Sequence, residues 1–145
     1  MSRKSIMLKI SSILWGLWGI VHIMAGVFTV SNISSGNISD AVGGIADAVD
    51  LSTLQMNYPD AAGAILSQHG FNLLWIGIVT FVCAFYVWNG NRTSILLAAL
   101  VGGLADIGYF IFMDLGGYVH FVPGTLMTIF SALAILLSFW AIFKK

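Results

Sequence analysis

The chain has 145 residues, 59% of them hydrophobic and 8% charged, and its six basic residues balance six acidic ones. A soluble domain carries about 25% charged residues, so these charges are too few to cover a water-exposed surface. The composition predicts one integral membrane domain over residues 1–145, with the lipid bilayer as its partner. The neutral net charge gives no reason to expect nucleic acid.

Four apolar segments are long enough to cross a bilayer. They cover approximately residues 6–30, 69–88, 95–113 and 123–143. A membrane-crossing helix needs roughly 20 such residues, and a helix satisfies its own backbone hydrogen bonds in lipid. We therefore predict an all-α, four-helix transmembrane bundle.

The longest connection, residues 31–67, contains a short amphipathic pattern. Four apolar residues recur at the i, i+3, i+4 and i+7 spacing of one helix face: Val42, Ile45, Ala46 and Val49. This spacing predicts a short helix capped by Ser39 that packs on the outer end of the bundle. Pro59 and Asp60 form a second helix-start signal, so the second span is expected to begin before the membrane.

The other two connections are shorter. Residues 89–94 form a polar turn, in which Thr93 or Ser94 is expected to cap the third helix. Residues 114–122 are too apolar for an ordinary solvated loop. We expect this stretch to lie in the membrane interface or to fold back over the bundle.

The basic residues predict the orientation. All six lie at one end of the predicted bundle: Arg3, Lys4, Lys9, Arg92, Lys144 and Lys145. The connections at the other end contain five Asp residues and no Lys or Arg. The positive-inside rule therefore predicts an N-in/C-in protein, which we place in a bacterial-type cytoplasmic membrane.

The acidic residues are all Asp, and Cys83 is the single cysteine. Thiol oxidases, claudins and tetraspanins need several cysteines, and small multidrug transporters need a Glu in the first span. The chain therefore lacks the motifs of these four-helix families. Its single cysteine also excludes an internal disulfide.

Ionisable residues within the spans are the candidates for function. An ionisable side chain in hydrocarbon costs at least about 2.5–3.5 kcal/mol, so it usually faces the protein interior and has a partner. Four ionisable residues fall in the outer half of the predicted bundle: His22 and Asp106 within spans, His69 at the outer end of the second span and His120 just before the fourth. Helical spacing places three of them in interior stripes. These stripes are Trp15, Trp18, His22 and Gly26; His69, Asn72, Thr80 and Cys83; and Gly102, Asp106, Tyr109 and Met113.

Several interpretations of this cluster remain open. The four residues are candidates for an outward-facing pocket that binds a small ligand or ion, and three histidines with a carboxylate also form a reasonable metal-ligand set. Alternatively, Asp106 and His22 only hold two helices together. The chain would then be a non-catalytic accessory or assembly subunit that binds other membrane subunits, or itself, through glycine-rich faces. Ion or proton conduction is disfavoured because the inner half lacks ionisable relay groups apart from Lys9 near the interface.

Overall fold

The structure is a computed structural model that describes residues 3–143, and this part of the chain is helical with no strand. It contains five α-helices, which we number in chain order: α1 Arg3–Ser34, α2 Ile38–Ile45, α3 Asp60–Trp88, α4 Arg92–Tyr109 and α5 Leu126–Phe143. A 3₁₀ turn follows α2. Wide helical turns extend α4 to Asp114 and precede α5 from Phe121.

Four of the helices are long and apolar enough to cross a membrane. They are Lys4–Ser34, Asp60–Trp88, Arg92–Asp114 and Phe121–Phe143, and each contains one of the predicted segments. Large apolar side chains on their outer faces remain exposed, including Leu104, Phe112 and Leu136. The predicted early start of the second span is confirmed, since α3 begins at Asp60.

The packed long helices have two chemically different ends. We call the end with Lys9, Trp88 and Arg92 the basic end, where the Lys9 ammonium lies 4.9 Å from the centre of the Trp88 ring. We call the end with residues 35–59 and 115–120 the acidic end. Lys144 and Lys145, which contribute to the predicted orientation, lie outside the described residues.

Helices α1 and α3 pack closely along a seam of glycines. A Cβ atom on Gly26 would lie 2.5 Å from the carbonyl oxygen of Gly70, and one on Gly77 would lie 2.7 Å from the carbonyl oxygen of Gly19. Such approaches of two backbones are possible only without side chains, which is why small residues recur where membrane helices meet.

The half of the bundle near the basic end is filled by apolar side chains. Trp15, Val87 and Ile95 are fully buried there. Two serines of α1 also tie this half together, because Ser11 donates a hydrogen bond to the carbonyl of Ala134 at 2.7 Å and Ser12 donates one to Ala84 at 2.6 Å. The sequence patterns considered above did not identify these two buried hydroxyls.

Two predicted helix caps are wrong. Ser39 does not cap α2, because its hydroxyl donates to the carbonyl of Leu54 at 2.8 Å. Helix α4 is capped by Asn91, whose side-chain oxygen accepts from the backbone N–H of Ser94 at 3.0 Å, and not by Thr93 or Ser94. Ser39 lies inside α2 and not before it, and Asn91 precedes both predicted caps of α4.

Helix α2 is shorter than the apolar pattern predicts. It ends at Ile45, so Ala46 and Val49 lie beyond it. Beyond α2, the backbone bonds to the other loop of the acidic end. The N–H of Ala48 donates to the carbonyl of Tyr118 at 3.1 Å.

Candidate functional site

A cavity of about 110 Å³ lies near the acidic end, between α1, α3, α4 and the start of α5. Gly44 and Ile45, at the end of α2, contribute to its wall. Most of its lining is apolar, and it includes three of the four residues selected from the sequence: His22, His69 and Asp106. An apolar cavity with a few convergent polar groups is the usual form of a small-molecule site.

Asp106 is the buried carboxyl group of this cavity, and only 4% of its surface is exposed. Its Oδ2 accepts a hydrogen bond of 2.8 Å from the indole Nε1–H of Trp18. The Ser131 side chain, on α5, is its second polar neighbour. The interior position expected for Asp106 is confirmed. The direct hydrogen-bond partner is Trp18, however, and not His22 as the structural interpretation proposed.

Trp18 links Asp106 to His22. Its indole is fully buried, and the His22 ring stacks on it with the ring centres 3.5 Å apart and the planes 18° from parallel. Residues four apart on a helix lie on the same face, which explains this stacking. Trp18 was placed on the same helix face as His22, but sequence patterning did not identify it as the donor to Asp106.

The tautomer of neutral His22 follows from its hydrogen bond. Nδ1 lies 2.8 Å from the carbonyl oxygen of Trp18, which can only accept, so Nδ1 carries the proton. The other ring nitrogen, Nε2, is then a hydrogen-bond acceptor. Since His22 lines the cavity, its Nε2 is the atom that can accept a hydrogen bond from a ligand.

Two further polar side chains line the cavity without a hydrogen-bond partner among residues 3–143. His69 is exposed and belongs to α3, and Tyr109 is partly buried and belongs to α4. The Tyr109 hydroxyl lies close to Gly124, where an added Cβ would come within 2.7 Å of it. Gly124 therefore leaves room for the phenol at the start of α5.

His120 does not line this cavity. Its backbone N–H donates to Oδ1 of Asp47 at 2.7 Å, which joins the two loops of the acidic end. The structure thus brings together His22, His69 and Asp106 but leaves the fourth predicted residue in the loop that follows α4. This separation depends on a contact between residues far apart in the sequence, which helical spacing cannot anticipate.

Asp114 also has a structural contact that the sequence patterns did not reveal. Its two carboxylate oxygens accept hydrogen bonds from the hydroxyls of Thr125 and Thr128. These bonds connect the end of the α4 extension to the start of α5, so they help to hold the cavity wall formed by Pro123 and Gly124.

The cavity does not present a set of metal ligands. Among residues 3–143, no group of three or more His, Cys, Asp or Glu side chains is arranged to hold a metal ion. Cys83 lies elsewhere, in the buried cluster with Trp15 and Ile95. The polar groups of the cavity are therefore better suited to hydrogen bonding and charge pairing than to metal coordination.

Comparison with known proteins gives no match for this chain, whether with family models, curated proteins or solved structures. Its function is therefore inferred from the chemistry of the cavity.

Proposed function

We propose that the chain is a multi-pass protein of a bacterial-type cytoplasmic membrane, with the basic end on the cytoplasmic side. Lys4, Lys9 and Arg92 lie at that end, and the loops of the acidic end contain only Asp as charged residues. Positively charged loops are retained in the cytoplasm, which supports this orientation.

Cysteine labelling in intact cells tests the orientation. In a Cys83→Ser background, a membrane-impermeant maleimide should label Asn37→Cys in intact cells and Asn89→Cys only after permeabilisation. Both positions are exposed, one at each end of the bundle. Labelling of Asn89→Cys in intact cells would contradict the proposed orientation.

Within this topology, the proposed function is the binding of a small ligand in the cavity, which the ligand enters from the acidic end. The observation that carries it is the convergence of His22, His69 and Asp106 on one largely apolar cavity. Asp106 and His22 are its inner binding groups, and exposed His69 contributes at its rim. His120, in the adjoining loop, has no assigned contact with the ligand.

Filling the cavity tests this function. Ala25 lines the cavity, so Ala25→Leu adds side-chain volume there. Ala132→Leu adds the same volume on an exposed face of α5 and serves as the matched control. In lipid nanodiscs, fragments detected by ligand-observed NMR should bind the wild type and Ala132→Leu but not Ala25→Leu. Equal binding to all three proteins, or to none, would overturn the proposal.

The rival function is that of an accessory subunit that binds another membrane protein. Such a subunit would bind its partner through glycine-rich helix faces. The glycines of the seam between α1 and α3, however, already pack against each other's helices: Gly19, Gly26, Gly70 and Gly77. Gly16 and Gly108 have open space around them and remain candidates for such a contact. Substitution of Gly108 with Leu should release a partner subunit if this function is the correct one.

A further inference from the structure

The cavity combines one buried carboxyl group with a wall that lacks cationic side chains. Its described lining contains Asp106 and no Lys or Arg. Burial of an unpaired charge is costly, and a cation next to it offsets that cost. Of the described Lys and Arg side chains, Lys4, Lys9 and Arg92 all lie at the basic end, so none of them supplies this cation.

We infer that the ligand is a small organic cation, such as a primary alkylammonium, with its charged group towards Asp106. This inference rests on the proposed binding function and adds the chemical class of the ligand. Three features of the cavity support it: its hydrogen-bond acceptors, its apolar wall and its electrostatic surroundings.

The hydrogen-bonding groups of the inner cavity match a ligand that donates. Neutral His22 offers Nε2 as an acceptor because Nδ1 donates to the Trp18 carbonyl. The Asp106 carboxylate accepts from Trp18 through Oδ2 and has further acceptor capacity. The Tyr109 hydroxyl can also accept a hydrogen bond. An ammonium group has only N–H donors, so it complements this set, whereas a carboxylate or phosphate would add further acceptors.

The remaining wall fits the apolar part of such a ligand. Phe28, Leu73 and Met127 line the cavity, and Phe28 and Tyr109 present aromatic rings that attract cations. An apolar cavity of about 150 Å³ can hold benzene. A cavity of about 110 Å³ therefore suits a somewhat smaller ligand.

The acidic end also favours the approach of a cation. Five Asp residues lie in or beside its loops, and no Lys or Arg does: Asp40, Asp47, Asp50, Asp60 and Asp114. Charge of one sign around a cleft raises the local concentration of oppositely charged ligands. This effect is screened over about 8 Å at physiological ionic strength, so contact with Asp106 must supply the specificity.

Three probes of the same number of non-hydrogen atoms test the inference: n-butylammonium, 1-butanol and propionate. Their affinities for the protein in nanodiscs can be measured by calorimetry and by ligand-observed NMR. We expect n-butylammonium to bind at least about tenfold more tightly than the other two, a difference of about 1.4 kcal/mol. Ala25→Leu should remove this binding.

Two Asp→Asn variants distinguish direct contact of the ligand with Asp106 from the electrostatic field of the acidic end. Asp106→Asn keeps the size of the side chain and an oxygen that can accept from Trp18, but it should lose the preference for n-butylammonium. Asp60→Asn removes the same formal charge from an exposed position at the start of α3 and should retain the preference. Thermal unfolding should show that both variants are folded.

If Asp106→Asn does not fold, Tyr109→Phe replaces it as the test. The affinity of the Tyr109→Phe protein for n-butylammonium should fall, while its affinity for 1-butanol stays the same.

The outcomes distinguish this inference from the proposed function. Binding of 1-butanol or propionate in the cavity as tightly as n-butylammonium would refute the organic cation and leave the binding function intact. An unchanged cation preference in the Asp106→Asn protein would also refute it. If neither these probes nor the wider fragment panel bind in a manner sensitive to Ala25→Leu, the proposed function itself is wrong.

Discussion

The four long helices enclose different interiors in the half of the molecule near the basic end and in the half near the acidic end. Near the basic end, Trp15, Val87 and Ile95 are fully buried and fill the interior. Near the acidic end, the helices surround a cavity of about 110 Å³ that contains His22, His69 and Asp106. Among the described residues, the buried carboxyl group thus lies in the half near the acidic end.

This difference bears on function because a conduction path must cross both halves. The buried polar side chains near the basic end are mainly hydroxyls that are already bonded to backbone carbonyls, such as Ser11 and Ser138. Ser11 links α1 to α5 in this way, whereas Ser138 bonds the backbone of its own helix, so both hydroxyls have structural partners. The comparison therefore favours binding from one end over conduction through the bundle.

The largest expected effect concerns the glycine seam, which supports both halves. Gly77→Leu places side-chain atoms against the backbone of Gly19 and Ile23, where a Cβ alone would already come within 2.7 Å. Because backbone atoms cannot move aside as a flexible side chain can, we expect a loss of about 3 kcal/mol in the free energy of unfolding. Denaturation in mixed detergent micelles measures this loss.

Gly108→Leu is the matched control for the seam. No atom lies within 4 Å of a Cβ built on Gly108, so the free energy of unfolding of the isolated protein should change little. Equal losses for Gly77→Leu and Gly108→Leu would show that α1 and α3 do not approach as closely as described.

The positions of the helices could be predicted from the sequence because they depend mainly on composition. Each apolar segment is long enough to require helical hydrogen bonding in lipid, whatever its neighbours are. The interior position of Asp106 was predictable for a similar reason, since exposure of a carboxyl group to lipid is costly. Neither prediction required knowledge of which helices pack together.

The contacts of the site could not be predicted because they depend on packing between distant residues. Trp18 donates to Asp106 across 88 positions of sequence, and Asp47 accepts from His120 across 73. Indole N–H groups have no sequence signature that indicates their acceptor. The long loop likewise had several possible turns, and the hydrogen bond between Ala48 and Tyr118 accompanies the end of α2.

The second prediction compares two buried tryptophans, one in each half. Trp18 Nε1 donates to Asp106, whereas Trp15 Nε1 has no hydrogen-bond partner among the described residues. Trp18→Phe should therefore lower the free energy of unfolding by about 2 kcal/mol more than Trp15→Phe, because it also removes the indole N–H that donates to a buried carboxyl group. Both changes remove the same volume from fully buried side chains.

A double-mutant cycle sharpens this comparison. In the Asp106→Ala background the acceptor is absent, and the extra loss caused by Trp18→Phe should disappear. Equal losses for both Trp→Phe changes in the wild type would contradict the hydrogen bond between Trp18 and Asp106.

A smaller effect is expected from the serines that link helices near the basic end. Ser12→Ala removes a hydrogen bond from α1 to the Ala84 carbonyl in α3. Interhelical hydrogen bonds in membranes contribute about 0.6 kcal/mol on average, so we expect a loss of that size in the free energy of unfolding. Ser34→Ala, at an exposed position where the hydroxyl bonds its own helix, should have less effect. A larger loss for Ser34→Ala would contradict the linking role of Ser12.

The smallest effect concerns the exposed loop of the acidic end and its response to pH. The backbone N–H of Ser52 donates to Oδ1 of Asp50 at 2.9 Å, and this hydrogen bond lowers the pKa of Asp50 below its ordinary value. A carboxylate whose pKa is lowered by folding stabilises the fold above its ordinary pKa of about 3.9, and this contribution is lost as the pH falls through the lowered value. The amide of Ser52 should therefore become less protected against hydrogen exchange in that acidic range, after correction for the intrinsic pH dependence of exchange.

Asp50→Asn is the control, because it keeps an acceptor oxygen but does not titrate. In this variant the protection of the Ser52 amide should stay constant over the same range. A parallel loss of protection in both proteins would show that the Asp50 cap does not control the order of the turn Leu51–Leu54.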